Sequence, residues 1–272
     1  MGAYDNIAAW WSAAQGRPVD TPAVPLEPLL PQHPYFPESI TIPGYVENET
    51  SLPMLLASFA GMLGSAILAG NVLALKVNPR LTASSLAVVS WFVTCGCLHL
   101  FFEGFFVANH ASLASSQHLF AQLWKEYALS DSRYLISDHF MLSVEAVTVL
   151  VLGPLCFAGA LATALGSSHR HVLRIIVCTA HLFSVSLYYS TSLTGTYLSG
   201  QSDSRPEFLY FWVYYVGFNL PWVVVPFSLL VNSVKSIAKT QRAAERMGLT
   251  LDESSAAHGG KETVEGESKK LQ

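Results

Sequence analysis

His99 and Glu103 stand four residues apart in the run Leu98-His99-Leu100-Phe101-Phe102-Glu103-Gly104. On a helix that spacing puts both on one face, where an imidazole and a carboxyl group share a proton or a ligand. Glu145 and Thr148 make a second pair one turn apart. His181 sits alone in an apolar run, and Asn219 and Trp222 lie on one face with Pro221 between them. Two carboxyl groups and an imidazole around one apolar cavity can give a proton to one side of a substrate and remove one elsewhere. An apolar setting disfavours charge on either group, which favours proton exchange near neutrality. An indole face beside them stabilises a developing carbocation by about 2 kcal/mol or more when desolvated. The set suits proton-initiated rearrangement of an apolar alkene.

The elements that must hold these groups are apolar. Of the 272 residues, 51% are hydrophobic and 12% charged, against about 25% charged in a soluble domain. The deficit falls between Leu52 and Val234, in runs of the length that crosses roughly 30 Å of hydrocarbon. The runs are Leu52 to Leu75, Ser85 to Val107, His139 to Leu165, Val172 to Leu193 and Phe208 to Val234. The fold class expected is all-α, a polytopic membrane protein built as a five-helix transmembrane bundle. Gly61, Gly64 and Ser65 give the first span a small-residue face suited to close helix packing.

Ionisable groups inside spans are costly, which makes each of these a functional candidate. Other readings of the same residues stand beside the catalytic one. His99 with Glu103 also fits a structural hydrogen bond between helices, and two buried acids also fit a proton or ion pathway. His181 alone fits a packing residue, and Trp222 fits an interfacial belt position. Tyr188, Tyr189, Tyr210, Tyr214 and Tyr215 mix belt and pocket positions that spacing does not separate. No paired inverted halves are visible, which argues against a transporter.

Cys95, Cys97, Cys156 and Cys178 lie in apolar stretches and read as small buried hydrophobes, with neither a disulfide framework nor a metal site expected. The net charge of −4 gives no hint of nucleic acid. Met1 to Pro37 is polar and proline-rich, without the apolar core of a cleavable signal. Lys76, Arg80, Arg170, Arg174 and the tail from Lys235 outweigh Arg17, Lys125, Arg133 and Arg205, so the expected orientation has the N-terminus lumenal and the C-terminus cytosolic. The domain reading is a lumenal N-terminal extension over 1–50, the transmembrane domain over 51–235 and a disordered cytosolic tail over 236–272. Lys269 and Lys270 near the C-terminus fit a retrieval signal for the endoplasmic reticulum.

Beyond these features the chain resembles the emopamil-binding protein family, the sterol delta-8 to delta-7 isomerases. The resemblance begins at His33-Pro34-Tyr35-Phe36-Pro37 and extends to about Lys235. Its strongest blocks are His99 through Phe106, Gln122-Leu123-Trp124-Lys125-Glu126-Tyr127 and Asp131-Ser132-Arg133-Tyr134. Glu145 with Thr148, Leu209-Tyr210-Phe211-Trp212 and Asn219-Leu220-Pro221-Trp222 continue it. It implies an enzyme of the endoplasmic reticulum membrane, often a homodimer, that works on a sterol-like or terpenoid lipid without a cofactor. It implies catalytic roles for His99, Glu103, Glu145, Asn219 and Trp222. Substrate contacts are expected from Thr148, His181, Tyr127, Tyr134 and Tyr188. In the implied scheme an acid protonates the ring alkene at carbon 9, a cation forms at carbon 8 facing Trp222, and a base takes a proton from carbon 7. Cationic amphiphilic amines are the implied inhibitors. His181 and Val185 stand where the family commonly has Gln and Asp, and Ser192 replaces an acidic residue. One cavity wall is therefore expected to be remodelled, as in a dedicated isomerase or cyclase of a terpenoid or steroid side pathway. A lipid- or amine-binding protein without turnover is the alternative from another class.

Overall fold

The computed structural model describes residues 33–248 of the chain. In chain order its main helices are α1 (Leu52–Val77), α2 (Ala83–Ser115), the short α3 (Leu119–Tyr127), α4 (His139–Ala164), α5 (Arg170–Ser199) and α6 (Leu209–Arg246). All but α3 are long and apolar enough to cross a membrane. No strand occurs among the described residues, so the protein is an all-α membrane bundle. The shortest spans have 26 residues, about 39 Å at the helical rise, which exceeds the hydrocarbon thickness.

Local chemistry sets the ends. Pro53 opens α1 where its missing N–H would have had no partner. The Thr82 hydroxyl accepts from the Ser85 amide at 3.2 Å, and the Asp138 carboxylate accepts from the Met141 amide at 2.9 Å, capping α2 and α4. Gly200, at φ 71°, stops α5 in the left-handed conformation that glycine adopts without strain. Leu68, Leu150, Phe183 and Phe227 are exposed around the bundle. A helix in hydrocarbon keeps its backbone bonds internal and turns such side chains to lipid.

Two packed cores share the length of α2. Phe92, Cys95, Cys156, Ala160 and Val177 form one. Phe106, Trp124, Tyr134, Met141, Tyr188 and Tyr215 form the other. The second core continues into an ordered cap. Tyr35 donates to the Lys125 carbonyl at 3.1 Å, Lys125 Nζ to the Val46 carbonyl at 2.7 Å, and the Thr50 amide to Gln122 Oε1 at 2.8 Å. Residues 33–50, assigned from sequence to an N-terminal extension, thus pack on α3. At the other end α6 continues through 236–246 before the described residues stop. Lys269, Lys270 and Arg17 lie outside the described residues.

The small-residue face of α1 does not pack as expected within the chain. A Cβ added at Gly61 or Gly64 meets nothing within 4 Å, and Ser65 is exposed. α1 instead turns Ala66, Gly70 and Ala74 inward, and a Cβ at Gly70 would come 2.8 Å from Val93. The four-residue step that aligned Gly61 with Ser65 also runs along the inward stripe, which lies on another side of the same helix.

Candidate active site

Three wide turns of π-helix interrupt the spans, and each carries or borders candidate residues. Leu98–Glu103 in α2 contains His99 and Glu103, and the Gly104 amide reaches the His99 carbonyl five residues back. Thr148–Leu152 in α4 begins at Thr148, with the Gly153 amide bonded to its carbonyl. Leu209–Gly217 opens α6 and ends just before Asn219. Such bulges are rare and concentrate at functional sites. Pro221, which cannot donate, restarts α6 after the break, leaving Asn219 on the turn between its two halves and Trp222 in the first turn of the second half.

The side chains from these turns form one network. His99 Nδ1 lies 2.7 Å from Glu103 Oε2. Thr148 Oγ1 lies 2.6 Å from the same Glu103 oxygen, 2.8 Å from the Glu145 carbonyl and 3.3 Å from Glu145 Oε2, with one proton to give among them. Tyr134 donates to Glu145 Oε1 at 2.9 Å. His99 Nε2 lies 3.0 Å from His181 Nε2. Tyr134, Glu145, Thr148, Glu103, His99 and His181 therefore form a continuous chain from the turn between α3 and α4 to α5. His99, Glu145, Thr148 and His181 are buried, while Glu103 retains a little exposure.

Tyr134 owes its position to a buried ion pair. Asp131 grips Arg133 through Nε at 2.8 Å and Nη2 at 2.6 Å, and Arg133 Nη1 donates to Thr191 on α5 at 3.1 Å. The guanidinium also lies over the Tyr188 ring, 5.3 Å from its centre. A fork of this kind fixes orientation as well as distance. It holds the Ser132–Leu135 turn so that Tyr134 points into the bundle. Burial pushes the Tyr134 and Tyr127 phenols above their ordinary range, with the nearby Glu145 adding to the effect at Tyr134. Both remain donors or acceptors with their proton in place. Asn219 Nδ2 donates to Tyr127 at 3.1 Å and to the Tyr215 carbonyl at 2.8 Å, which locks its amide.

All ten residues expected from sequence to act in catalysis or in substrate contact border one cavity of about 500 Å³: His99, Glu103, Glu145, Asn219, Trp222, Thr148, His181, Tyr127, Tyr134 and Tyr188. That size is within the range of small-molecule sites. Leu56, Phe59 and Leu63 of α1 and Val144 of α4 supply much of the apolar wall. Trp222 borders the cavity and packs on Trp91, ring centres 5.4 Å apart. His181, which in isolation fits a packing role, is joined directly to His99.

Two residues escaped the sequence reading. Glu126 borders the cavity and accepts from Tyr214 at 3.1 Å, and burial raises its carboxyl above the usual range despite that bond and the nearby Arg205. It was visible within the Gln122–Tyr127 block but has no spacing to another candidate. Cys156 lies beside His99 and His181, and no pattern within its own helix connects it to residues on α2 and α5.

Comparison with known proteins places the chain in a family. Residues 119–233 match the family model of EBP, described as EXPERA (EXPanded EBP superfamily). A 3-beta-hydroxysteroid-Delta(8),Delta(7)-isomerase of Rattus norvegicus is 33% identical over 215 residues, covering 78% of this chain and 92% of the relative. The chain belongs to the EXPERA superfamily. A probable 3-beta-hydroxysteroid-Delta(8),Delta(7)-isomerase of Oryza sativa subsp. japonica is 31% identical over 206 residues, 75% of this chain and 92% of the relative. The isomeliandiol synthase MOI2 of Melia azedarach is 32% identical over 151 residues, 55% of this chain and 68% of the relative. Within EXPERA, then, this chain is similar both to proteins named for steroid double-bond isomerisation and to one named for making isomeliandiol.

Proposed function

We propose that this EXPERA protein is an isomerase that moves a ring double bond in a sterol-like or triterpenoid lipid by protonation and deprotonation through a carbocation. The observation that carries the proposal is the hydrogen-bonded chain of Tyr134, Glu145, Thr148, Glu103 and His99 opening on an apolar cavity. Relatives named as Delta(8),Delta(7)-isomerases support it. Substrate and product are isomers, so the reaction is redox-neutral and needs no electron carrier.

Glu145 and Glu103 approach the same hydroxyl, and two carboxylates so placed in an apolar cavity repel each other. In the proposed scheme Glu103 is the ionised member, since its Oε2 meets both His99 and Thr148. Glu145, with Tyr134 on one oxygen, carries the proton and delivers it to carbon 9 of the alkene. The positive charge at carbon 8 faces the Trp222 ring. The His99–Glu103 pair then removes the proton at carbon 7. That proton exchanges with water, and Thr148, within reach of both carboxyl groups, passes a solvent-derived proton back to Glu145 by accepting from one side and donating to the other. Asn219 and Tyr127, Tyr188 and His181 shape and orient the lipid against this chain. The similarity to a protein named isomeliandiol synthase supports a second version of the same reading, in which a terpenoid takes the sterol's place.

The proposed setting is the endoplasmic reticulum membrane, with the cap end lumenal and the end of α6 cytosolic. Membrane lipids, a second copy of the chain and cationic amphiphilic amines are its proposed partners. A protonated tertiary amine resembles the carbocation in charge and is expected to bind as an intermediate analogue. Incubating purified protein with a Δ8 sterol, and separately with triterpenoid alkenes, tests the activity. Conversion to a double-bond isomer of equal mass supports it, and unchanged lipid throughout, with amines still bound, reduces the protein to a lipid-binding module.

A further inference from the structure

The proton transfers above leave one buried nucleophile unused. Cys156, a free cysteine on α4, is buried and borders no part of the cavity. Its sulfur, a ring nitrogen of His99 and a ring nitrogen of His181 all lie within 4.8 Å of one another. His99 Nδ1 is engaged by Glu103, so its free donor is Nε2, and Nε2 of His181 stands 3.0 Å from it. A tetrahedral zinc ion with N at about 2.0 Å and S at about 2.3 Å needs donors roughly 3.3–3.6 Å apart. The three groups lie within 4.8 Å of one another, a separation that side-chain rotation can close to that spacing without any movement of their helices.

We propose that His99, His181 and Cys156 form a buried site for a thiophilic divalent cation of the zinc type, and that filling it arrests turnover by occupying His99 Nε2. The arrest rests on the isomerase reading; the site itself does not. The donor set is the imidazole–thiolate type that zinc favours. The carboxylate of Glu103 on the far nitrogen of His99 is the outer partner that metal-bound histidines ordinarily have, fixing the tautomer and raising the ligand's basicity. Charge balances too. Two neutral imidazoles and one thiolate leave a divalent ion with one positive charge, and Glu103 supplies the opposing one. An unbalanced charge at this depth would be costly.

The protons also balance. The Nε2–Nε2 bond needs one proton; with His99 Nδ1 donating to Glu103, it belongs to His181 Nε2. His181 Nδ1 is buried and has no partner, and it takes that proton when Nε2 turns to the metal. The Cys156 thiol loses its proton to solvent, so one proton is released per ion bound and nothing is oxidised or reduced. His99 and His181 border the cavity, which gives the ion its way in.

Cobalt is the probe, since a tetrahedral cobalt–thiolate centre has a near-ultraviolet charge-transfer band and intense visible bands. Full-length protein purified in detergent with a chelator and then titrated with Co²⁺ should develop both, at one ion per chain. Cys156→Ser should abolish the charge-transfer band, and Cys156→Ser and His181→Gln should each weaken binding at least about a hundredfold, beyond what loss of an outer partner costs. Zinc should displace the cobalt. It should also inhibit wild-type turnover in a way that a chelator reverses, while Cys156→Ser keeps turnover and escapes inhibition. Wild-type protein without the bands, or Cys156→Ser that retains them, overturns the site. Bands with no turnover on any lipid would leave the site standing and remove the isomerase reading. Turnover untouched by zinc in a protein that shows the bands would overturn the arrest.

Discussion

At the scale of single residues the central feature is that two acids share one hydroxyl. Glu103→Gln and Glu145→Gln are each expected to lower turnover by at least about a hundredfold, the low end for positioned acid–base groups. Neither should reduce the amount of folded protein, because neutralising a buried carboxyl in a bilayer carries no desolvation cost; turnover per mole of monodisperse protein is the measurement. Trp222 makes a separate test. Trp222→Phe keeps a π face and should retain part of the activity, whereas Trp222→Leu should lose most of it. Equal rates for the two would remove the cation–π role. Sequence made these residues visible because helical spacing pairs His99 with Glu103 and Glu145 with Thr148, and because charge is rare in spans. It left Tyr134's partner hidden, since the contact with Glu145 depends on the Asp131–Arg133 fork that turns a loop inward. The proximity of His181 to His99 was equally invisible, being a contact between helices 82 residues apart in sequence.

At the scale of elements, hydropathy located every span, since a bilayer demands long apolar helices and little else. It did not reveal the π turns, because one extra residue per turn changes neither composition nor average hydropathy. It also misplaced the close helix contact on α1. Gly96 shows where small size is needed: an added Cβ would fall 2.7 Å from the Phe157 ring, whereas at Gly61 it would meet nothing. Gly96→Ala should therefore destabilise the bundle by about 1–3 kcal/mol through overpacking of α2 on α4. Gly61→Ala should leave it unchanged or slightly more stable, alanine being the better helix former. Thermal unfolding in one detergent compares them, and a Gly61→Ala loss as large as that of Gly96→Ala would mean that the outer face of α1 is packed after all.

At the scale of the whole molecule, the bundle sorts its charges to two ends. Lys125, Arg133 and Arg205 gather at the cap, where the Ser132 amide bonds to the Asp203 carbonyl at 3.0 Å and the Arg205 amide to the Leu129 carbonyl at 3.1 Å. The loops after α1 and α4, with Lys76, Arg80 and Arg170, lie at the other end with the last turns of α6. The excess of cations there predicts a cytosolic face. A glycosylation acceptor inserted after Gly200, at the cap end, should be modified in cells, and an unmodified acceptor in an active protein would reverse the orientation. Class was readable from sequence because lipid imposes it. The substrate was not, since it depends on the shape of a cavity assembled from every span. The claim that joins residue, element and molecule is that turnover begins with a proton from this network. Incubating the purified enzyme with its lipid in deuterated water measures it. The account predicts one deuterium at the protonated ring carbon of the product, lost together with turnover in Glu145→Gln; an isomerised product without deuterium, or one labelled equally by the Glu145→Gln protein, would contradict it.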